Sequence, residues 1–467
     1  MSEYITDNCG MCVTHSIHDA FSFLKSLNHR GHDAAGIGVV NHKGINVVKW
    51  LGMVPDINLE VLHRVLGNDY HTVIGHVRYR TKGGLDTLLD GAHPHTIGGR
   101  VIEQGNHRII LGARMAIVHN GQVDERYLGD VSCEGLQSDC DTERLLHYYS
   151  LFGEDALMRN VPGSYTLAIA DIARDSVIVM RDRAGNKPGA LGRKDGRKVV
   201  ASESIAIEEN GGKFLEDLEP GTIYYIGQQG GMRREPVLIA SKGFCFFDNN
   251  YLSRPESVND GVHVDTLRKY YGEILAEENR GIRADIVTYL PNCPETAAWS
   301  FAHAQGTTFE HLFYKMSVRR AFLGSTTEER RISIEQNLHL YPNNANLIQG
   351  KRVVVIDDSI VRGNNVKYGV ELLLNAGAAS VIVLSYTPPV GIIGSDEKPR
   401  GCDLGVDMPA DDNFIARGKT IEEISAEVGA EVRYLSLQGL AKAYSRFGVS
   451  MNELCFYCIG GPHPYDP

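Results

Sequence analysis

The chain has 467 residues, with 47 lysines and arginines against 58 aspartates and glutamates, a formal net charge of −11. Hydrophobic residues at 43% and charged residues at 22% are ordinary globular values; they exclude a disordered tail or a fibrous repeat, and the length predicts two or three domains. The acidic balance argues against general nucleic-acid binding, and no apolar run reaches the roughly 18 residues of a membrane span.

In chain order, a helix is expected near Asp19–Leu27, then short apolar segments at Gly36–Val40, Val73–Val77 and Met115–Val118, where His119-Asn120-Gly121 closes the strand. A helix near Thr142–Leu151 and strands at Tyr165–Ile172 and Ser176–Met180 follow. These segments read as a mostly antiparallel, packed sheet system. Ser241–Ser257 reads as a junction, with the boundary placed near residue 245. Beyond it, helices at Val262–Asn279, Pro294–Gln305 and Val366–Ala376 alternate with strands at Asp285–Tyr289, Arg352–Ile356 and Ser380–Tyr386. That alternation predicts a parallel α/β sheet.

Nine cysteines are spread thinly: Cys9, Cys12, Cys133, Cys140, Cys245, Cys293, Cys402, Cys455 and Cys458. No charged, apolar leader precedes them, so a reducing, cytoplasmic setting is expected, with cysteines acting as buried hydrophobes, nucleophiles or metal ligands. Cys9-Gly10 lies close to the N-terminus. A cysteine becomes a nucleophile when a base takes its proton, and a free α-amine is such a base once Met1–Asn8 are removed.

The companions of Cys9 are His29-Arg30-Gly31, Gly75-His76-Val77-Arg78-Tyr79, His119-Asn120-Gly121 and Asp141-Thr142-Glu143. In this order they resemble the glutaminase domain of class II, N-terminal-nucleophile glutamine amidotransferases. Glutamine carries a carboxylate and an ammonium, for which Arg78 offers a planar fork and Asp141 an acceptor; Arg30 is expected at the same site. The resemblance implies that the Asn120 side chain and the Gly121 N–H form the oxyanion hole for a Cys9 thioester. Two positions depart from the family: His32 stands where Gln is usual, and Met11-Cys12-Val13-Thr14 lacks an early glycine.

Lys351–Gly363 reads KRVVVIDDSIVRG, an apolar strand ending in two aspartates, then a loop and a helix. Ligands of open α/β sheets bind at that edge, and loop and helix N–H groups cradle phosphate. On residues alone, an acidic pocket of another kind or an ordinary cap fits equally well. The string resembles the phosphoribosyl pyrophosphate (PRPP) motif of type I phosphoribosyltransferases, and the resemblance extends over nearly the whole chain to the amidophosphoribosyltransferase family. It implies PRPP contacts from Asp357, Asp358, Ser359, Val361, Arg362, Gly363, Asn364 and Asn365, with Mg²⁺ held through Asp357 and Asp358.

Departures gather at this second site. Asn364-Asn365 replace two threonines, and Pro291-Asn292-Cys293-Pro294 replaces Pro-Asp-Ser-Gly. Arg319-Arg320-Ala321-Phe322 replaces Gly-Arg-Thr-Phe, a family lysine has no clean match, and His339–Asn346 reads as an insertion. They leave open a different phosphorylated acceptor, or a glutaminase with a binding-only second domain.

Cys455-Phe456-Tyr457-Cys458 is a CxxC pair, by itself compatible with redox, zinc or incidental roles. With Cys245 and Cys402 it resembles the four-cysteine set of the family's iron–sulfur branch, which implies a [4Fe–4S] cluster, zinc being the alternative. Cys12, Cys133 and Cys140 match no ligand position and are expected to pack; Cys293 takes the place of the family's serine.

The whole resemblance implies residues 1–8 as a propeptide and 9–244 as an Ntn-hydrolase αββα glutaminase. Residues 245–467 would form a type I phosphoribosyltransferase α/β domain. The implied enzyme consumes glutamine and PRPP in the first step of purine biosynthesis, as a cytoplasmic homo-oligomer, dimer or tetramer, open to purine nucleotide inhibition.

Overall fold

The computed structural model describes residues 9–79, 88–129, 131, 135–291, 293–316, 337–406 and 408–465. Met1–Asn8, Cys133, Asn292 and Arg319–Phe322 lie outside these residues. Among the described residues no helix is long and apolar enough to cross a membrane.

Two antiparallel sheets come from residues 10–236. The nine-stranded sheet runs in the order Lys213–Asp217, Ala190–Lys194, Arg197–Ala201, Gly10–Thr14, Thr72–Arg78, Ala34–Asn41, Gly44–Leu51, His107–Ala113, Arg100–Gln104. The six-stranded sheet runs Met232–Pro236, Thr222–Gly227, Ser176–Arg181, Gly163–Asp171, Met115–Val123, His95–Ile97. Their facing sides form one core: Met11, Val13 and Ile74 meet Val118, Ala168 and Val179. Side chains alternate along a strand, so Cys12 points to the other side, onto Phe23 and Leu24 of the helix Ile17–Ser26. Across the molecule, Leu145, Leu146 and Tyr149 of the helix Asp141–Asn160 cover Ile117 and Leu167. The layers are helix, sheet, sheet, helix.

Three expectations are corrected here. His119-Asn120-Gly121 does not close its strand: pairing continues through Val123, because Asn120 and Gly121 pair with Thr166 and Tyr165 of a central neighbour. The helix expected at 142–151 continues to Asn160, with a break at Gly153 (φ +79°). The helix expected from Val262 begins at Val264, because Val262–His263 closes a small hairpin with Val258–Asn259.

Residues 286–434 build a parallel five-stranded sheet in the order Thr308–Phe309, Ile286–Tyr289, Arg352–Asp357, Ser380–Ser385, Glu431–Tyr434. Its three central strands are largely apolar on both faces, as a parallel sheet covered on both sides demands. Leu267, Tyr271 and Phe301 of the helices Val264–Glu278 and Glu295–Gln305 pack on Val354 and Ile356. Val366, Val370 and Leu373 of the helix Asn364–Asn375 pack on Val353 and Val355.

Buried polar links tie the two halves. Arg30 pairs with Asp248, Arg181 with Asp260, Lys187 Nζ donates to Gly405 O, and Tyr465 Oη donates to Asp182.

Candidate active sites

Cys9 is buried at the head of the strand Gly10–Thr14. Gly10 pairs with Val77 across the antiparallel ladder, so the register carries Cys9 to the level of Arg78. Ser202 joins Asn120 to this strand: its Oγ accepts from the Met11 N–H at 2.9 Å and from Asn120 Nδ2 at 3.4 Å. Gly121 has φ +147°, and a Cβ there would lie 1.9 Å from Ser164 O, so only glycine fits.

Arg78 is buried, yet its Nη1 has no hydrogen-bond partner among the described residues. A buried guanidinium with a free end suits an incoming carboxylate. Asp141 opens its helix; its Oδ2 accepts from the Val123 N–H and its Oδ1 from Thr142 Oγ1. Arg30, expected through the resemblance to contact glutamine, is turned elsewhere. Its Nε donates to Cys9 O at 3.0 Å, and its two other nitrogens are held by Glu203 and Asp248. With no exposed side-chain surface, it braces the Cys9 backbone. Against the cost of burial, His29 and Arg30 hold the Glu203 carboxyl well below the usual range. Ser202 and Glu203 were not among the residues expected at this site.

Cys12 packs as expected, its Sγ on Ala20 O and its thiol pushed far up by burial. Cys140 does not. Its Sγ lies 3.6 Å from His93 Nε2 and 3.7 Å from Asp141 Oδ1, because it caps the helix beside the buried His93 rather than facing the core.

In the other half, the strand Arg352–Asp357 delivers Asp357 and Asp358, both buried, to the sheet's carboxyl edge. Burial and the adjacent Asp358 charge push the Asp357 carboxyl well above the usual range, with Lys315 acting the other way. A crowded buried carboxylate pair suits a divalent cation. Ser359 Oγ donates to Asp358 Oδ1 at 2.7 Å. Gly363 takes the left-handed conformation (φ +79°) that turns the loop into the helix; a Cβ there would meet Ile415 at 2.5 Å. Asn364 and Asn365 are its first residues, at the end where N–H groups bind anions. Val361 is buried, its carbonyl accepting from the Ile415 N–H, and Arg362 is ion-paired with Asp412. Cys293 Sγ donates to Tyr251 O at 3.3 Å. Lys315, which the sequence did not single out, is near enough for its charge to pull the Asp357 carboxyl down.

Cys245 and Cys455 stand in register on two short parallel strands, Phe244–Cys245 and Leu454–Cys455. Burial raises all four thiols, Cys245 to about 12, and the fields of Cys245, Cys402 and Cys455 add to the rise at Cys458.

Residues 113–226 match a glutamine amidotransferase domain family. The amidophosphoribosyltransferase of Archaeoglobus fulgidus is 32% identical over 464 residues, covering 95% of this chain and 94% of the relative. That of Bacillus subtilis is 30% identical, covering 94% and 90%. The solved glutamine PRPP amidotransferase from B. subtilis, complexed with ADP and GMP, superposes with a TM-score of 0.81 at 28% identity, covering 98% of this chain and 97% of that one. Fold and sites define an enzyme that joins a glutamine amidotransferase to a phosphoribosyltransferase. The chain belongs to the amidophosphoribosyltransferase family.

Proposed function

We propose that this chain makes 5-phosphoribosylamine, pyrophosphate and glutamate from PRPP and glutamine, the first step of purine synthesis. The observation that carries the reading is the union, in one chain, of the buried Cys9 beside the free-ended Arg78 with the Asp357–Asp358 loop and its following helix.

Residues 9–244 are the glutaminase and 245–467 the transferase. Once Met1–Asn8 are removed, the new α-amine takes the Cys9 thiol proton, and the sulfur attacks the glutamine side-chain carbonyl. Arg78 holds the substrate carboxylate and Asp141 its ammonium. Asn120 Nδ2 and the Gly121 N–H stabilise the oxyanion, ammonia leaves, and water frees glutamate from the thioester. Ammonia passes inside the protein to the second site, since a dry path keeps it from protonation and loss. There it forms the C–N bond at C1 of the ribose as the C–O bond to pyrophosphate breaks.

The loop Ser359–Gly363 with Asn364 and Asn365 holds the 5-phosphate. Asp357 and Asp358 fit Mg²⁺, which when bound neutralises the departing pyrophosphate. Cys245, Cys402, Cys455 and Cys458 fit a [4Fe–4S] cluster: Cys455 and Cys458 are buried, Cys245 and Cys402 partly buried, and the fields of the other three reach the Cys458 thiol. Such a cluster clamps three distant segments. The B. subtilis relative was solved with ADP and GMP, which supports a purine nucleotide site here; nucleotide feedback on a cytoplasmic homo-oligomer belongs to the same proposal. A second reading, a different phosphorylated acceptor, is favoured by Asn364-Asn365 in place of two threonines.

Glutamate release should rise with PRPP and Mg²⁺, and phosphoribosylamine should be trappable. Cys9→Ala should lower glutamine use at least about 1,000-fold while sparing synthesis from added ammonia. If PRPP leaves glutamate release unchanged and no phosphoribosylamine forms, the acceptor assignment is wrong.

A further inference from the structure

Four buried histidines, His76, His93, His95 and His119, cluster within reach of the Asp141 and Arg78 charges. His93 and His76 stack with ring centroids 3.9 Å apart, and His93 meets His95 edge-on at 4.8 Å. Among the described residues, His93, His95 and Cys140 form the one group of three whose metal-ligating atoms all lie within 4.8 Å of one another.

We propose that His93, His95 and Cys140 bind one divalent transition-metal ion of the zinc class, and that the ion regulates glutamine binding. The geometry fits. Nitrogen and sulfur on one tetrahedral zinc ion stand about 3.6 Å apart, given bonds of about 2.0–2.1 and 2.3 Å; His93 Nε2 and Cys140 Sγ stand 3.6 Å apart. His95 is 3% exposed, and its Nε2 has no hydrogen-bond partner among the described residues. An orphaned buried imidazole nitrogen is costly unless something coordinates it. On the far side of that ring, Nδ1 lies 3.9 Å from Glu143 Oε2, beyond hydrogen-bond reach but close enough for the carboxylate charge to favour a cation on the ring. Burial keeps His93 and His95 neutral, the form that ligates. Two imidazoles and a thiolate select zinc, cobalt or copper over magnesium and calcium.

Binding has a definite proton balance. The His119 N–H donates to His93 Nδ1 across 3.3 Å, so in the metal-free pocket the ring proton sits on Nε2 and faces Cys140. Metal on Nε2 moves that proton to Nδ1, gives up this one long hydrogen bond, and releases the Cys140 thiol proton to solvent. The consequence for glutamine rests on the proposed glutaminase site. Cys140 Sγ is 3.7 Å from Asp141 Oδ1, so a cation bound there competes with the substrate ammonium for Asp141.

The test uses the full-length protein with its iron content intact. Zinc and iron are counted after equilibration with zinc and gel filtration, for the parent, Cys140→Ser and His95→Gln. One equivalent of zinc should bind the parent, with affinity weakened at least about 100-fold in both variants, whose iron content and melting report the fold. Equal zinc uptake in all three overturns the site. If either variant fails to fold, cobalt(II) titration of the parent decides: thiolate-to-cobalt absorption that survives selective alkylation of Cys140 overturns it. Zinc should raise the KM for glutamine in the parent and not in the variants; zinc uptake with an unmoved KM overturns the regulatory half and leaves the metal site standing.

Discussion

At Gly121 the geometry excludes a side chain. Its φ is +147° and the neighbouring strand leaves no room, with Ser164 O 1.9 Å from where a Cβ would stand; the proposed oxyanion hole uses this residue's N–H. Gly121→Ala should therefore lower glutaminase kcat/KM by about a hundredfold or more, while ammonia-driven synthesis persists. Parallel assays with glutamine and with ammonia check this; equal loss of both would point to misfolding instead. The string His119-Asn120-Gly121 was readable as a motif. Its place inside a strand was not, because Asn-Gly favours turns locally and only pairing with Thr166 and Tyr165 overrides that preference. Likewise Arg30 was legible as a motif residue, but its service to the Cys9 backbone depends on Glu203 and Asp248, 173 and 218 residues away.

Among the elements, the strand Lys213–Asp217 meets the Val258–Asn259 hairpin at a crowded acidic corner. Burial first, then the Asp260 charge, push the Asp217 carboxyl up to about 7, against the pull of Arg181. An unfolded aspartate titrates near about 3.9, so the folded chain binds this proton more tightly. The contribution is full below roughly pH 4 and is lost as pH rises through about 7. Asp217→Asn should flatten that part of the stability profile and stabilise the protein above pH 7 on the order of 2 kcal/mol. Denaturant melts from pH 4 to 8 measure the slope, and an unchanged slope would exclude Asp217 as its source. Element type was the most legible level. The alternation of helices and strands after residue 245 predicted the parallel sheet, and its three expected strands stand within a residue of their places, while the edge strands Thr308–Phe309 and Glu431–Tyr434 were not anticipated.

Over the whole molecule, the C-terminal CxxC returns to the junction, where Cys455 pairs in register with Cys245. The polar links from Arg30, Arg181, Lys187 and Tyr465 cross the same seam. Cys455→Ser should lose iron and lower the melting temperature by about 5 °C or more, with both halves affected together because the seam is shared. Iron analysis and calorimetry are the measurements; full iron content in the variant would refute the ligand assignment.

The sequence by itself determined the chemistry available: which strings carry a nucleophile, a planar cation, paired carboxylates and four thiols, and which segments become helices or parallel strands. Those properties are local, written in residue type and short spacing. Only the tertiary structure decided which groups meet. Among the described residues it left one end of Arg78 free while committing Arg30, set the Lys315 charge against Asp357, and turned Cys140 from an expected packing residue into a neighbour of His93 and His95. The physical reason is that such contacts join residues tens to hundreds of positions apart, and their energies depend on burial and register that no short stretch of sequence encodes.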